Sequence, residues 1–132
     1  MADFSLSWIF GIGSQAKGGR NKLPAWNDIL FCLTEIKDSK GSVTLDLIVE
    51  TDSGSKSLQV LSDKGKYVVS LGEDDGVDYV VRSYENLELQ GVPFDVLGDE
   101  WDGVFVCTDF FVVTSIFKEF FLVGDVGKEL LD

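Results

Sequence analysis

Apolar and polar residues alternate over much of this chain, and the period of that alternation marks out its elements. "DFSLSWIFG" alternates and stops at glycine, which predicts a first strand at about residues 4 to 11. The glycine-rich stretch 11 to 22 reads as a loop. The period then lengthens in "LPAWNDILFCLTEIKDSKG", where Trp26, Ile29, Leu30, Leu33 and Ile36 recur at helical spacing and form one apolar face. Pro24 suits the first helical position. Lys37 and Lys40 suit the end where the helix dipole favours cations, and Gly41 suits the stop.

Period two then returns. Val43, Leu45, Leu47 and Val49 face one way, and Thr44, Asp46 and Glu50 the other. "TDSGSK" is a turn, Leu58 and Val60 point inward in the next run, and "KG" at 64 and 65 is a tight turn. Tyr67, Val69 and Leu71 alternate, "EDDG" turns again, and Val77, Tyr79 and Val81 share one face. Short strands joined by short polar turns predict an antiparallel meander. "VPFDVLGDEWDGVF" is irregular apart from a short strand at 94 to 97. In "TDFFVVTSIFKEFFLVG" the residues Phe110, Val113, Ile116, Phe117, Phe120 and Phe121 make a wide helical stripe. Thr108 or Asp109 is its N-cap and Gly124 its stop, and "DVGKELLD" adds a last helical turn. The expected fold is α+β in one domain, residues 1–132. It has an antiparallel sheet of about five to six strands, with two main helices packed on one face.

Composition sharpens this. The 132 residues include ten Phe, three Trp and three Tyr, enough apolar surface for a core without staples. Cys32 and Cys107 have no C-x-x-C spacing and read as buried, reduced thiols. "MADFSLSWIFGIG" lacks a basic n-region, and no segment reaches the ~20 apolar residues of a membrane span, so a soluble cytoplasmic protein is expected. With no histidine, Ser-His and Cys-His catalysis and the commonest metal ligand are excluded. The net charge of −12 is segregated. Residues 1–72 carry eight acidic and eight basic side chains, and residues 73–132 carry fifteen acidic and three basic ones. Such a field repels nucleic acid and anionic membranes and attracts cationic partners.

The candidate chemistries are few. "GIGSQAKG" departs from the phosphate loop G-x-x-x-x-G-K-[ST] at Ala16 and Gly18, and from G-x-G-x-x-G at Ala16, with no parallel βαβ unit behind it. It reads as a pliable connection carrying Lys17, Arg20 and Lys22, free to meet the protein's own carboxylates or an acidic patch on a partner. Glu73, Asp74, Asp75 and Asp78 lack the calcium-loop pattern and read as a solvated turn. "FDVLGDEWDG" sets Asp95, Asp99, Glu100 and Asp102 around Phe94 and Trp101. Carboxylate pairs for glycoside hydrolysis are conceivable there but nonspecific. An aromatic among carboxylates outside regular structure suits a protein interface, against the plainer reading that Trp101 closes the edge of the core. No cofactor and no metal are expected.

Five segments, "GIGSQAKGGRN", "PAWNDIL", "LGEDDGVDY", "LGDEWD" and "FKEFFLVGDV", are spread from about residue 11 to 127 and so span most of the chain's length. Through them the protein resembles the small bacterial immunity proteins that neutralise polymorphic toxins, such as those of contact-dependent growth inhibition. The resemblance implies no catalytic residue. It implies a monomeric cytoplasmic inhibitor in a one-to-one complex with the C-terminal domain of a cognate toxin. That domain is expected to be a basic nuclease, met by an acidic surface of Glu73, Asp74, Asp75, Asp78, Asp95, Asp99, Glu100, Trp101 and Asp102. The alternative is an acidic interaction module, an adaptor or chaperone-like protein, with no toxin partner.

Overall fold

The computed structural model describes residues 2–49, 54–74 and 76–132. Glu50, residues 51–53 of the expected turn, and Asp75 lie outside the described residues. Six antiparallel strands form one sheet in the order β2-β1-β3-β4-β5-β6. They are β1 (Ala2–Phe10), β2 (Lys17–Lys22), β3 (Lys40–Val49), β4 (Lys56–Asp63), β5 (Lys66–Asp74) and β6 (Tyr79–Ser83). Helices α1 (Trp26–Ile36) and α2 (Phe110–Val123) lie on one face, and a separate hairpin is made by β7 (Pro93–Val96) and β8 (Asp99–Asp102). The α+β architecture follows from the two periods: alternating strands bury one face, and both helical stripes cover it.

The alternation fixes the register. Leu6, Val43, Leu45, Leu58, Val60, Val69 and Leu71 are fully buried beneath the helices, which contribute Ile29, Leu33, Ile36, Val113, Ile116, Phe117 and Phe120. Phe4 meets Phe120 edge-on at 5.5 Å. Truncating Phe117 or Phe120 to alanine would cost about 3–5 kcal/mol. Both thiols are buried and free. Burial is the main reason the Cys32 thiol is pushed up to about 11, with Asp28 and Glu35 adding to it.

Several boundaries differ from expectation, each for a local reason. The stretch 11 to 22 is not a loop. Gly11 (φ 86°) and Gly13 (φ 61°) turn the chain through a short 3-10 turn, after which Lys17–Lys22 pairs with β1 as an edge strand. Gly19 is needed there, because a Cβ would collide with the Trp8 indole that lies across β2. Helix α1 starts at Trp26, two residues after Pro24, where the Asp28 carboxylate accepts from the Ala25 N–H at 2.8 Å. It ends at Ile36, well before Gly41, because Asp38 takes the left-handed turn (φ 58°) and Gly41 already sits in β3. Trp26 is only half-buried and Leu30 is exposed, while Cys32 takes a core position. The hydroxyl of buried Ser62 donates to the Ile36 carbonyl at 2.7 Å and ties the helix end to β4.

The stretch expected to be irregular is the β7–β8 hairpin, closed by Leu97 (φ 55°) and Gly98 (φ 90°), the paired positive φ values of a tight hairpin turn. Asp109 caps α2, accepting from the Phe111 N–H at 3.0 Å, and Gly124 (φ 81°) stops it. Residues 125–132 add no further helix but close in a single hydrogen-bonded turn, where the Leu130 and Leu131 N–H groups both donate to Gly127 O, and Leu131 is buried.

Candidate partner-binding surface

The middle of the sheet face away from the helices carries small and polar side chains. Cross-strand rows run Lys22–Ser5–Asp46–Ser57–Gly72–Val81 and Arg20–Ser7–Thr44–Gln59–Ser70–Ser83. The β7–β8 hairpin covers one end of this face. Val96 and Val106 pack on Val68, with Leu61, Phe94, Leu97 and Trp101 around them as a second small core. The turn is pinned twice: the buried Asp63 carboxylate accepts from Leu97 N–H at 2.9 Å, and Lys66 Nζ donates to the Asp95 carbonyl.

The hairpin register sorts its side chains. Phe94 sits opposite Trp101, on the packed side. Asp95 sits opposite Glu100, and Pro93 opposite Asp102, so these carboxylates face solvent. Like charges directly opposite one another cost on the order of a few tenths of a kcal/mol. Two of the four carboxylates also hold the fold. Asp95 accepts from Gly98 N–H at 2.9 Å. Asp102 accepts from Val104 and Gly91 N–H at 2.9 Å each, and these bonds hold its carboxyl below the usual carboxylate range. Asp99 and Glu100 have no such partner among the described residues. Trp101 is half-buried, edge-on to Phe105 at 6.4 Å, so it supports the surface from beneath. Its indole N–H has no acceptor among the described residues.

The other acidic group lies elsewhere. Glu73, Asp74 and Asp78 stand at the far end of β5, about 20 Å from Val68 at the usual rise per residue. Glu73 points to the helix side and pairs with Lys56 at 3.7 Å. Lys56 and Arg82 both reach Asp125, at 3.4 and 3.1 Å. Burial alone would raise the Asp125 pKa. Its bond from Val126 N–H and the two cations outweigh that and lower it. Asp74 faces the open side and accepts from Gly76 N–H at 2.9 Å. The structure thus does not merge the two acidic groups. It sets the hairpin carboxylates at one end of the open face and Asp74, with Asp46 nearby, at the other, while Glu73 lies on the helix side. At the far end a cleft of about 310 Å³ is lined by Asp46, Ile48, Ser57, Gly72, Asp74 and Tyr79.

Lys17, Arg20 and Lys22 occupy the opposite edge, about 24 Å from β6 across five strand spacings. They form no ion pair among the described residues. Sequence reasoning missed β8 and the sidedness of Asp95 and Glu100. The L-G pair at 97 and 98, flanked by alternating residues, was the available signal.

The surface offers fixed negative charge at two ends of a floor of small hydroxyl residues. Among the described residues, no group of three His, Cys, Asp or Glu is placed to hold a metal. No helix is long and apolar enough to cross a membrane. A family model described as a family of unknown function (DUF6911) matches residues 7–130. The fold is similar to a crystal structure of a hypothetical protein from Neisseria gonorrhoeae, with a TM-score of 0.77 and 16% identity, covering 92% of this chain and 88% of that one. No curated protein matches the chain.

Proposed function

The chain belongs to the DUF6911 family, and we propose that it is an immunity protein that binds and neutralises a cationic toxin domain through its acidic side. The observation that carries this reading is the β7–β8 hairpin. It holds four carboxylates, two of them directly opposed, and forms no ion pair among the described residues. A fold gains nothing from that repulsion, whereas a cationic partner removes it. Electrostatic steering of this kind raises the association rate and weakens with salt. A nuclease is the partner class best suited, because a site built for a polyanion is itself cationic. The inhibitor needs no chemistry of its own and is not an enzyme in this reading.

The test is co-expression with the C-terminal domain of a toxin encoded next to this chain, the neighbour that this reading expects. Restored growth and a one-to-one complex are expected. Growth that stays arrested, with both proteins soluble, would remove the proposal.

A further inference from the structure

The free edge of β6 differs from an ordinary solvated strand. Its register with β5 pairs Ser83 with Ser70, Val81 with Gly72 and Tyr79 with Asp74. Tyr84 N–H donates to Val69 O at 3.0 Å, so residues of even number turn their main-chain groups toward β5. Tyr79, Val81 and Ser83 therefore turn theirs outward. At Ser83 that outward side is already used: Ser83 and Asp132 exchange two bonds of 3.1 Å. Beside Tyr79 and Val81, no main-chain partner lies on that side among the described residues. The strand is also apolar and uncovered, with Tyr79 65% exposed, Val80 45% and Val81 58%. Natural edges are blunted with lysine, proline, bulges or inward charges. Here the one cation, Arg82, points inward and is consumed by Asp125, Val126 O at 2.6 Å and Leu131 O at 2.9 Å.

We propose that this edge is a strand-docking site. An extended segment of the partner, alternating apolar and polar residues and flanked by lysine or arginine, pairs main chain to main chain with Tyr79 and Val81. The basic flanks follow from charge complementarity, since Asp74, Asp78, Glu85 and Asp132 border the strand. The same charges disfavour a second copy of this chain. Two edges of this kind, on chains of net charge −12, would bring acidic flank against acidic flank. For its cationic partner the inference rests on the proposed function, whereas the docking mode stands on the edge geometry.

The experiment is amide hydrogen exchange by NMR on the whole protein, with the synthetic peptide Lys-Thr-Val-Thr-Val-Lys at millimolar concentration. Tyr79 and Val81 amides should slow at least tenfold, while Val80 and Arg82, already bonded to β5, stay as they are. Val81→Pro removes only an outward N–H and should abolish binding with the melting temperature nearly unchanged. Glu-Thr-Val-Thr-Val-Glu should give no protection. If neither amide slows, or if the acidic peptide protects equally, the proposal is overturned. Concentration-dependent protection without peptide would make a second copy the occupant and overturn it as well. Failure of toxin neutralisation with an intact peptide effect removes the function and leaves the edge. Neutralisation with Tyr79 and Val81 unprotected in the toxin complex does the reverse.

Discussion

The two edges of this sheet are built on opposite terms. At β2 the strand "KGGRNK" has no β-branched residue, two adjacent glycines and three cations that make no ion pair among the described residues. At β6 the strand "YVVRS" is β-branched and aromatic, and its one cation is turned inward to bind the segment 125–132. Charge on an edge can thus serve solvent or serve the fold. The basic edge protects itself with exposed lysine and arginine. The acidic edge spends Arg82 on internal structure and leaves its apolar strand open.

That contrast gives its sharpest stability test at the two arginines. Arg82→Ala removes a donor with three acceptors and leaves Asp125 with Lys56 as its one cation among the described residues, so a loss of about 2–3 kcal/mol is expected from urea denaturation. Arg20→Ala should change stability by no more than about 0.5 kcal/mol. Equal losses at the two sites would break the comparison.

The glycines sharpen it next. A side chain at Gly19 would displace the Trp8 indole, which stacks on Phe10 at 6.1 Å, so Gly19→Val should cost about 1–3 kcal/mol by thermal unfolding. A side chain at Gly72 meets the hydroxyl end of exposed Tyr79, which can swing away, so Gly72→Val should cost less than about 1 kcal/mol.

Acid should act on one side only. Asp125 and Asp102 have folded pKa values below their ordinary ones. The stability they contribute is therefore fully present above the ordinary carboxylate pKa of about 4 and is lost as pH falls through the lower folded values. Urea midpoints should hold from pH 7 to about 5 and then decline below about pH 4. The decline should be shallower in Arg82→Ala, where Asp125 has already lost a cation. A midpoint that does not move with acid would contradict this assignment.

Much of the fold was legible because period carries burial. Val43, Leu45, Leu47, Leu58, Val60, Tyr67, Val69 and Leu71 all fall on the helix-covered face that alternation assigned them. Val113, Ile116, Phe117 and Phe120 fall on the buried stripe of α2. What escaped was set by tertiary pairing. "KGGRNK" has no strand propensity, yet β1 supplies the ladder and Trp8 supplies the packing that hold it. Leu30 matched the helical period of α1 but lies at the margin of its buried stripe, while Cys32 fills a core position. The acidic residues were legible as charge and not as positions. Nothing local says that Glu73 faces Lys56, or that Asp95 and Glu100 share the solvent side of a hairpin.

Whether the acidic hairpin meets a cationic toxin domain is read from the affinity and salt dependence of the complex under charge reversal. Asp99 and Glu100 are the residues to reverse, because Asp95 and Asp102 also hold the turn. Asp99→Lys with Glu100→Lys should weaken binding about 100-fold or more and flatten the salt dependence. Arg20→Glu with Lys22→Glu on the opposite edge should leave affinity within about threefold of the original. Unchanged affinity and salt dependence after the hairpin reversal would contradict that contact.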